Sequence, residues 1–590
     1  MKANIEYFIR PADPLGHYFE VDLIIWQPQS LQQVQMPAWI PGSYMIRDFS
    51  KQIVQIHAYE INDKRHLISP LLMESCDSNT WQIHTTKKPI LISAKMYAFD
   101  QSVRTAYLDQ FRGFYNHSSL CLQALGFTNE PCLVHIEKTS WLNSWSVITS
   151  MAPMNIHKDG FGSYFAKNYA ELIDHPVSLG HFQVLTWKSC DIPHMMVIQG
   201  ATDAIDTTRL ARDLKAITQS QIAFFEPNAK KAPFQHYIFH VNVSANGYGG
   251  LEHRNSTALL CKRSDLPYSE LTLVQSSYED FLGLCSHEYF HAWNVKNIQP
   301  LAFQPYQLQV RNHTHLLWLF EGFTSYYDDL HLLRSKVISL ESYLERLNKT
   351  INQVLKSTGR LKQSLAQSSY DAWTKYYLMD ENTPNAVVSY YAKGSLIALA
   401  LDLLIRQFTQ QHKSLDDVMR VLWQQHGDLK GHGIGLAEDG FKDVVLLAIG
   451  AEFKSTWNQF EKRFILGTED LPLGDLLAQQ NWVLQEQPLT SSELALQRLG
   501  VRTTTQDALV KITHVFDDGG AHKAGIAAGD LLVSINRERI TPSTFSSLLD
   551  RFSHQSISLM VFRQDILHEC VVTKDARKLA KWQIVPNASA

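Results

Sequence analysis

Alternation of apolar and polar residues predicts β-strands in the first part of the chain. Residues 17–26 place Phe19 and Val21 on one face, with acidic residues on the other, and residues 90–99 form a second apolar, β-prone run. Clusters of turn-forming residues separate such runs. We therefore predict an antiparallel, sandwich-like β domain at residues 1–170.

The pattern changes to helical periodicity in the middle of the chain. A strand is predicted at residues 234–243, and the strand-forming part extends to about residue 265. Helices follow, one of them opened by a Ser-x-x-acid capping box at Ser414 and Asp417. We predict a second domain at residues 171–485, with strands first and mainly helices afterwards.

The last part of the chain returns to strand patterns. Strands are predicted at 508–515, 531–535, 557–563 and 568–572, with a helix at 542–552. This spacing indicates a compact terminal module at residues 490–580. The fold class is therefore multidomain α+β.

Composition excludes several classes of partner. The chain has 590 residues, too many for one hydrophobic core, and a formal net charge of −4 without basic blocks. Nucleic acid and anionic membrane are therefore not expected as partners. The seven cysteines lie far apart without a CxxC pair, and neither a secretory signal nor a membrane-spanning run is found. We expect a cytoplasmic protein.

The clearest candidate for chemistry is an HExxH motif at residues 287–291. Residues four apart share one face of a helix, so His287 and His291 can bind one tetrahedral ion. Glu288 lies beside them, where its carboxylate can take a proton from water on the metal. One zinc ion per chain suits these ligands and lowers the pKa of its water to about 7. The alternative is a helix with two partly exposed histidines and no metal.

A third ligand is predicted thirty residues after His291. Glu321 lies in a helical stretch flanked by tryptophan and phenylalanine residues, where a surface glutamate is not expected. Its carboxylate can complete a three-ligand site and leave one position open for water, as in catalytic zinc sites. Asp328, seven residues further along, could orient a ligating histidine.

Several segments together carry a resemblance to a known family. The HExxH motif with its downstream glutamate resembles the gluzincins, zinc peptidases with a thermolysin-like catalytic domain. Residues 286–296 look like the glycyl-aminopeptidase family, whose members carry a PDZ domain, and 36–44 and 100–107 look like that family's N-terminal domain. Asn297 departs from the basic residue that is common there. The resemblance implies removal of N-terminal glycine and alanine residues from peptides.

A candidate for recognition of the substrate's amino group follows a predicted strand. Gly249 and Gly250 permit close backbone approach, and Glu252 comes directly after them. The segment is similar to the Gly-x-Met-Glu-Asn element of aminopeptidase N-like gluzincins, in which the glutamate recognises the free N-terminus. Here Leu251 and His253 replace the methionine and the asparagine. The alternative is a hairpin turn with a solvated Glu252.

A tyrosine is predicted to stabilise the transition state. Residues 391–394 resemble the Tyr-x-Lys-Gly string of related gluzincins, in which the tyrosine hydroxyl donates a hydrogen bond to the developing oxyanion. Tyr391 occupies that position. Tyr390 is the competing candidate, and the sequence leaves both open.

The terminal module looks like a PDZ domain. Residues 521–532 resemble the segment Ala-x-x-Ala-Gly-Leu-x-x-Gly-Asp-x-Ile of such domains, which bind a peptide by strand addition. The loop that would hold the peptide carboxylate is reduced to Leu499-Gly500-Val501. A peptide ligand of this module is therefore an open expectation.

These observations converge on a zinc-dependent aminopeptidase that acts on peptides with a free N-terminus. Two alternatives remain. A zinc endopeptidase would use the same metal site, and a non-catalytic protein would bind peptides through the β domain and the PDZ-like module.

Overall fold

The computed structural model describes residues 3–142, 144–201, 204–268, 275–429, 433–489, 493, 499–552, 555–573 and 581–587. The chain divides into two compact units. The first consists of Met1–Asn312, Tyr327–Ser339 and Met419–Ala437, and the second of His313–Tyr326, Leu340–Val418 and Glu438–Ala590.

The first unit is rich in strands. In chain order they are β1 Ile5–Asp13, β2 Tyr18–Ile25, β3 Leu31–Gln35, β4 Ile53–Ile61, β5 Leu67–Pro70, β6 Met73–Ser75, β7 Thr80–His84, β8 Ile90–Tyr97, β9 Ala106–Leu108, β10 Arg112–Asn116, β11 Gln123–Ala124, β12 Cys132–Ile136, β13 Ser146–Thr149, β14 Ala152–Ile156, β15 Gly162–Ala166, β16 Pro176–Gly180, β17 Gln183–Ser189, β18 Ile192–Gln199, β19 Tyr237–Ser244, β20 Gly249–Glu252 and β21 Ser256–Lys262.

Three of the sheets belong to the N-terminal part. Their strand orders are β14-β15-β12-β1-β2-β8-β4-β5, β13-β16-β10-β9 and β11-β3-β7-β6. Alternating residues such as Phe19, Val21 and Leu23 are buried in their shared core, which explains why the period-two pattern identified the strands. The antiparallel prediction is wrong for one pair, because β1 and β12 are parallel. The long connection between these two strands permits a parallel pairing, whereas local alternation carries no information on strand direction.

The five-stranded sheet positions the candidate site. Its order is β17-β18-β19-β21-β20, with β19 parallel to both of its neighbours and buried at every residue. Such burial is typical of a strand in a parallel sheet that is covered on both faces. Strand β20 runs antiparallel to β21 at the end of this order and carries the segment from Gly249 to Glu252.

The helices follow mainly after the sheets. In chain order they are α1 Tyr169–Leu172, α2 Thr207–Phe225, α3 Ser276–Phe290, α4 Phe323–Arg334, α5 Leu340–Lys356, α6 Leu365–Tyr370, α7 Thr383–Ala386, α8 Ala392–Phe408, α9 Leu415–His426, α10 Phe441–Ile449, α11 Lys454–Phe460, α12 Leu473–Ala478, α13 Gly520–Lys523 and α14 Phe545–Arg551. In the predicted capping box, the carboxylate of Asp417 accepts a hydrogen bond from the backbone N–H of Ser414 at 2.9 Å. Among the described residues, every helix is too short or too polar to cross a membrane.

The second unit ends in a small sheet with its own core and a separate pair of strands. Its strands are β22 Trp482–Gln487, β23 Val501–Gln506, β24 Leu509–Val515, β25 Leu531–Ile535, β26 Glu538–Arg539, β27 Ile557–Arg563, β28 Ile566–Val572 and β29 Lys581–Pro586. The order β23-β24-β25-β27-β28 encloses its own apolar core with α13 and α14, while β22 pairs with β29. The predicted module bounds at 490 and 580 lie outside the described residues.

Candidate active site

Two histidines point towards one position at the end of α3. His287 lies in the last turn of α3, and His291 follows its last residue. Their Nε2 atoms are 3.1 Å apart. Two nitrogens bound to one tetrahedral zinc ion at 2.0–2.1 Å lie about 3.3 Å apart. The observed separation therefore fits two ligands of a single zinc ion.

Hydrogen bonds fix the orientation of both imidazole rings. The Nδ1 atom of His287 lies 2.9 Å from Oδ2 of Asp328, as the position of Asp328 in the sequence predicted. The Nδ1 atom of His291 lies 2.8 Å from the carbonyl oxygen of Asn294. Since both acceptors require a proton on Nδ1, each ring presents the lone pair of Nε2 to a metal.

The loop after His291 is held in a strained conformation. Val295 has φ of 105°, a left-handed value that is rare for a β-branched residue. The neighbouring Lys296 donates its backbone N–H to the carbonyl of His291 at 3.0 Å. This loop therefore braces the second histidine from the backbone side.

The glycines of β20 permit close contact with the carboxylate of Glu288. A Cβ atom built on Gly250 would lie 2.1 Å from Oε1 of Glu288, far closer than real contacts allow. Glu252, Glu288 and His291 each offer one atom that could bind a metal, and these three atoms lie within 4.8 Å of one another. The strand thus brings the predicted amine-binding carboxylate and the predicted base to the same histidine.

A turn from the N-terminal segment packs against Glu252. Ser43 donates its N–H to the carbonyl of Ile40 at 3.1 Å, and Pro41 and Gly42 form the corner. Gly42 has φ of 96°, as the third residue of a type II turn requires. A Cβ atom on Gly42 would lie 2.5 Å from Oε2 of Glu252. The sequence singled out this segment and Glu252 separately, but not the contact between them.

Arg104 is a neighbour of β20 that sequence reasoning did not single out as a site residue. Its Nη2 donates a hydrogen bond to the carbonyl oxygen of Gly250 at 3.0 Å. A Cβ atom on Gly249 would meet the same guanidinium at 3.5 Å. The only signal in the sequence was its place in residues 100–107. Arg104 fixes the strand that faces Glu288.

Glu321 lies in the second unit, in the π-helical turn Trp318–Gly322, where it is buried. The following Gly322 packs closely on the start of α8, since a Cβ atom built on it would lie 2.5 Å from the Cα atom of Gly394. Only two glycines permit this backbone contact. Within the second unit, the contact places the Glu321 turn beside the segment that carries the two candidate tyrosines.

The two tyrosines at the start of α8 differ in exposure. Tyr390 is fully buried, and burial, followed by the charges of nearby groups that include Glu321, raises the pKa of its phenol. Tyr391 is partly exposed, and its hydroxyl lies 3.4 Å from that of Tyr377. Lys393, two residues further along, is buried without a hydrogen-bond partner for its amine among the described residues, and burial lowers its pKa.

The structure thus places the predicted site residues in both units. His287, Glu288, His291, Glu252, Gly249 and Gly250 belong to the first unit, and Glu321 and Tyr391 belong to the second.

Comparison with known proteins gives two family matches. The model for M61 glycyl aminopeptidase matches residues 280–397, and the model for the peptidase M61 N-terminal domain matches residues 6–181. The crystal structure of an aminopeptidase N family protein from Idiomarina loihiensis is 36% identical, with a TM-score of 0.93. The alignment covers 99% of this chain and 98% of that chain. No curated protein matches the chain.

More distant solved structures include an M1 zinc metallopeptidase and an aminopeptidase. An M1 zinc metallopeptidase from Deinococcus radiodurans is 11% identical over 80% of this chain and 94% of its own, with a TM-score of 0.47. Aminopeptidase A of Legionella pneumophila, in complex with aspartic acid, is 12% identical over 78% of this chain and 49% of its own, with a TM-score of 0.46. Scores this low carry no further conclusion.

Proposed function

The chain belongs to the M61 glycyl aminopeptidase family, and from that membership we propose that it is a zinc-dependent aminopeptidase. The observation that carries the proposal is the pair of oriented imidazoles, whose Nε2 atoms lie 3.1 Å apart, with Glu288 and Glu252 grouped around His291. A metal site beside a second carboxylate suits a peptidase that binds a free amino group.

One zinc ion per chain is the proposed cofactor, with His287, His291 and Glu321 as ligands. Glu321 supports this assignment because a buried carboxylate is stabilised by a cation, and the sequence places it after the HExxH motif as in gluzincins. Zinc, when bound, polarises the scissile carbonyl and makes water nucleophilic at neutral pH.

Glu288 is the proposed general base. Its carboxylate takes a proton from the attacking water and then passes it to the leaving amine. Its position depends on Gly250, since any side chain there would occupy the space of the carboxylate. The close contact therefore gives Gly250 a role in positioning the base.

Glu252 is the proposed recognition group for the substrate's ammonium. It is buried near Glu288 and His291, so an ammonium bound there would hold the first peptide bond of a substrate near the metal. Gly249 and Gly250 would allow the substrate backbone to lie along β20. This arrangement favours an exopeptidase over the endopeptidase alternative.

Tyr391 is the proposed oxyanion donor. An oxyanion donor must reach the substrate, and Tyr391 is partly exposed whereas Tyr390 is fully buried. Exposure therefore supports Tyr391, the residue that matches the Tyr-x-Lys-Gly string.

Further features remain proposals. They are a preference for N-terminal glycine and alanine, domains at 1–170, 171–485 and 490–580, a PDZ identity of the terminal module with a peptide ligand, and a cytoplasmic location. The small sheet of the second unit, with its own apolar core, is compatible with a PDZ fold.

Turnover of a panel of aminoacyl reporter substrates tests the proposal. We expect hydrolysis of substrates with a free amine, led by glycyl and alanyl reporters, and loss of activity with a chelator that zinc restores. Equal cleavage of N-acetylated peptides would favour an endopeptidase instead. Absence of turnover from a zinc-loaded preparation would support the non-catalytic alternative.

A further inference from the structure

A cavity of about 440 Å³ lies in the first unit, beside the loop that follows His291. Its wall includes Asp174, His253, Arg254 and Lys296. We propose that this cavity is a binding site for a small organic carboxylate with an apolar body.

The charges at the wall are unbalanced. The carboxylate of Asp174 is shared by Lys296 Nζ at 2.7 Å, His253 Nδ1 at 3.1 Å and Arg254 Nε at 3.3 Å. Burial alone would raise the pKa of Asp174, but the Lys296 ammonium and the His253 imidazole hold it well below its usual range. Among the described residues of the wall, Asp174 is the only carboxylate. One negative charge faces a lysine and an arginine, so an anion would balance the surplus positive charge.

Two buried polar groups have unused hydrogen-bonding capacity. The side chain of Lys296 is 4% exposed, and of its three N–H donors only one has an acceptor among the described residues, namely Asp174. His253 is 1% exposed, and its Nε2 has no hydrogen-bond partner in the described part of the chain. Because Nδ1 of His253 faces the carboxylate of Asp174, Nε2 of the neutral ring is an acceptor, so a ligand carboxylate would be held by the unused N–H donors of Lys296.

The uncharged residues of the cavity wall indicate which kind of organic body the carboxylate ligand carries. Ile40, Phe303 and Leu308 contribute apolar surface, and Asn297 contributes an amide. The volume lies within the range of small-molecule sites. A bare inorganic anion would leave the apolar surface in contact with water, whereas an acid with a short hydrocarbon or aromatic body would cover it. Asn297, the residue that departs from the family pattern, is thereby located at this wall.

The test is calorimetric titration of the zinc-loaded full chain with 3-phenylpropionate, 3-methylbutanoate and glutarate. These acids have no amine and therefore cannot be retained by Glu252. We expect saturable binding of at least one acid, with Kd raised at least tenfold in Lys296→Met, which keeps the length of the side chain but removes its charge. Lys262→Met, at an exposed lysine outside the cavity, is the matched control and should bind as the native chain does.

Further variants distinguish this cavity from the metal. Arg254→Met, at a side chain that is 44% exposed, should also weaken binding and serves if Lys296→Met does not fold. His287→Ala should leave the Kd unchanged. No saturable binding by any of the three acids would overturn the proposal. The proposal would also be overturned if binding were lost in His287→Ala but retained in Arg254→Met. It would be overturned as well if inorganic phosphate bound as tightly as the acids.

Discussion

Replacing Gly250 with alanine should strongly reduce activity while leaving the fold intact. The new Cβ atom would lie 2.1 Å from Oε1 of Glu288, so the carboxylate must retreat by about 1 Å to reach 3.0 Å, the lower limit of real contacts. A displacement of about 1 Å in a catalytic group can cost about 10²-fold in rate. We therefore expect kcat of Gly250→Ala to fall about 10²-fold.

Stability should respond differently from activity. The backbone of Gly250 is not left-handed, and the obstructing atoms, from Cγ to Oε1, all belong to the side chain of Glu288, which can turn aside while the backbone stays in place. We expect the free energy of unfolding to change by less than about 1 kcal/mol. The bound zinc, measured by elemental analysis, should stay at the native level.

Gly249→Ala is the matched control in the neighbouring position. Gly249 has φ of 148°, so alanine is strained there, but its Cβ would meet Arg104 only at an ordinary 3.5 Å. This variant should lose stability and retain more of its kcat than Gly250→Ala. Steady-state kinetics on an alanyl reporter and thermal unfolding measure both quantities. Native kcat in Gly250→Ala would refute the assignment of Glu288 as a base held against β20.

Five further substitutions test the remaining predictions. Asp328→Asn, which removes the carboxylate that orients a ligand imidazole, should weaken zinc binding about 10- to 100-fold in a chelator competition. Glu252→Gln should lower kcat/KM for substrates with a free amine, so that the ratio of this value to kcat/KM for N-acetylated substrates falls. An unchanged ratio would contradict the recognition role of Glu252. Tyr391→Phe should lower kcat about 10²- to 10³-fold with zinc retained, whereas Tyr390→Phe should be mild, and the reverse order would exchange the two assignments. Burial lowers the pKa of His240 from 6.5 to about 3, so its contribution to stability is full above pH 6.5 and declines as the pH falls towards 3. The decrease of Tm as the pH is lowered from 6.5 to 3 should therefore be smaller in His240→Gln than in the native chain. An equal decrease in the two proteins would contradict this prediction.

Local patterns predicted the elements and the chemistry that depend on short spacings. The strand β2, the helix α9 and the orientation of His287 by Asp328 follow from periods of two and of about 3.6 residues, which the sequence displays directly. The parallel pairing of β1 with β12 depends on contacts between distant segments, which no local pattern encodes.

The same limit applies to the candidate site. The sequence indicated that Gly250 permits a close approach, but only the fold shows that Glu288 is the group that approaches. Residues 36–44 carried a family resemblance, but the contact of Gly42 with Glu252 was not predictable from them. Arg104 carried no motif of its own, because a hydrogen bond to a backbone carbonyl requires no particular partner residue.

The central claim is that Glu288 acts as the base of a zinc aminopeptidase, and Glu288→Gln tests it most directly. The substitution keeps the size of the side chain and the three proposed zinc ligands. At equal zinc content, kcat for a glycyl reporter should fall by at least about 10²-fold relative to the native chain. A Glu288→Gln protein that turns over the reporter at the native rate would contradict the account.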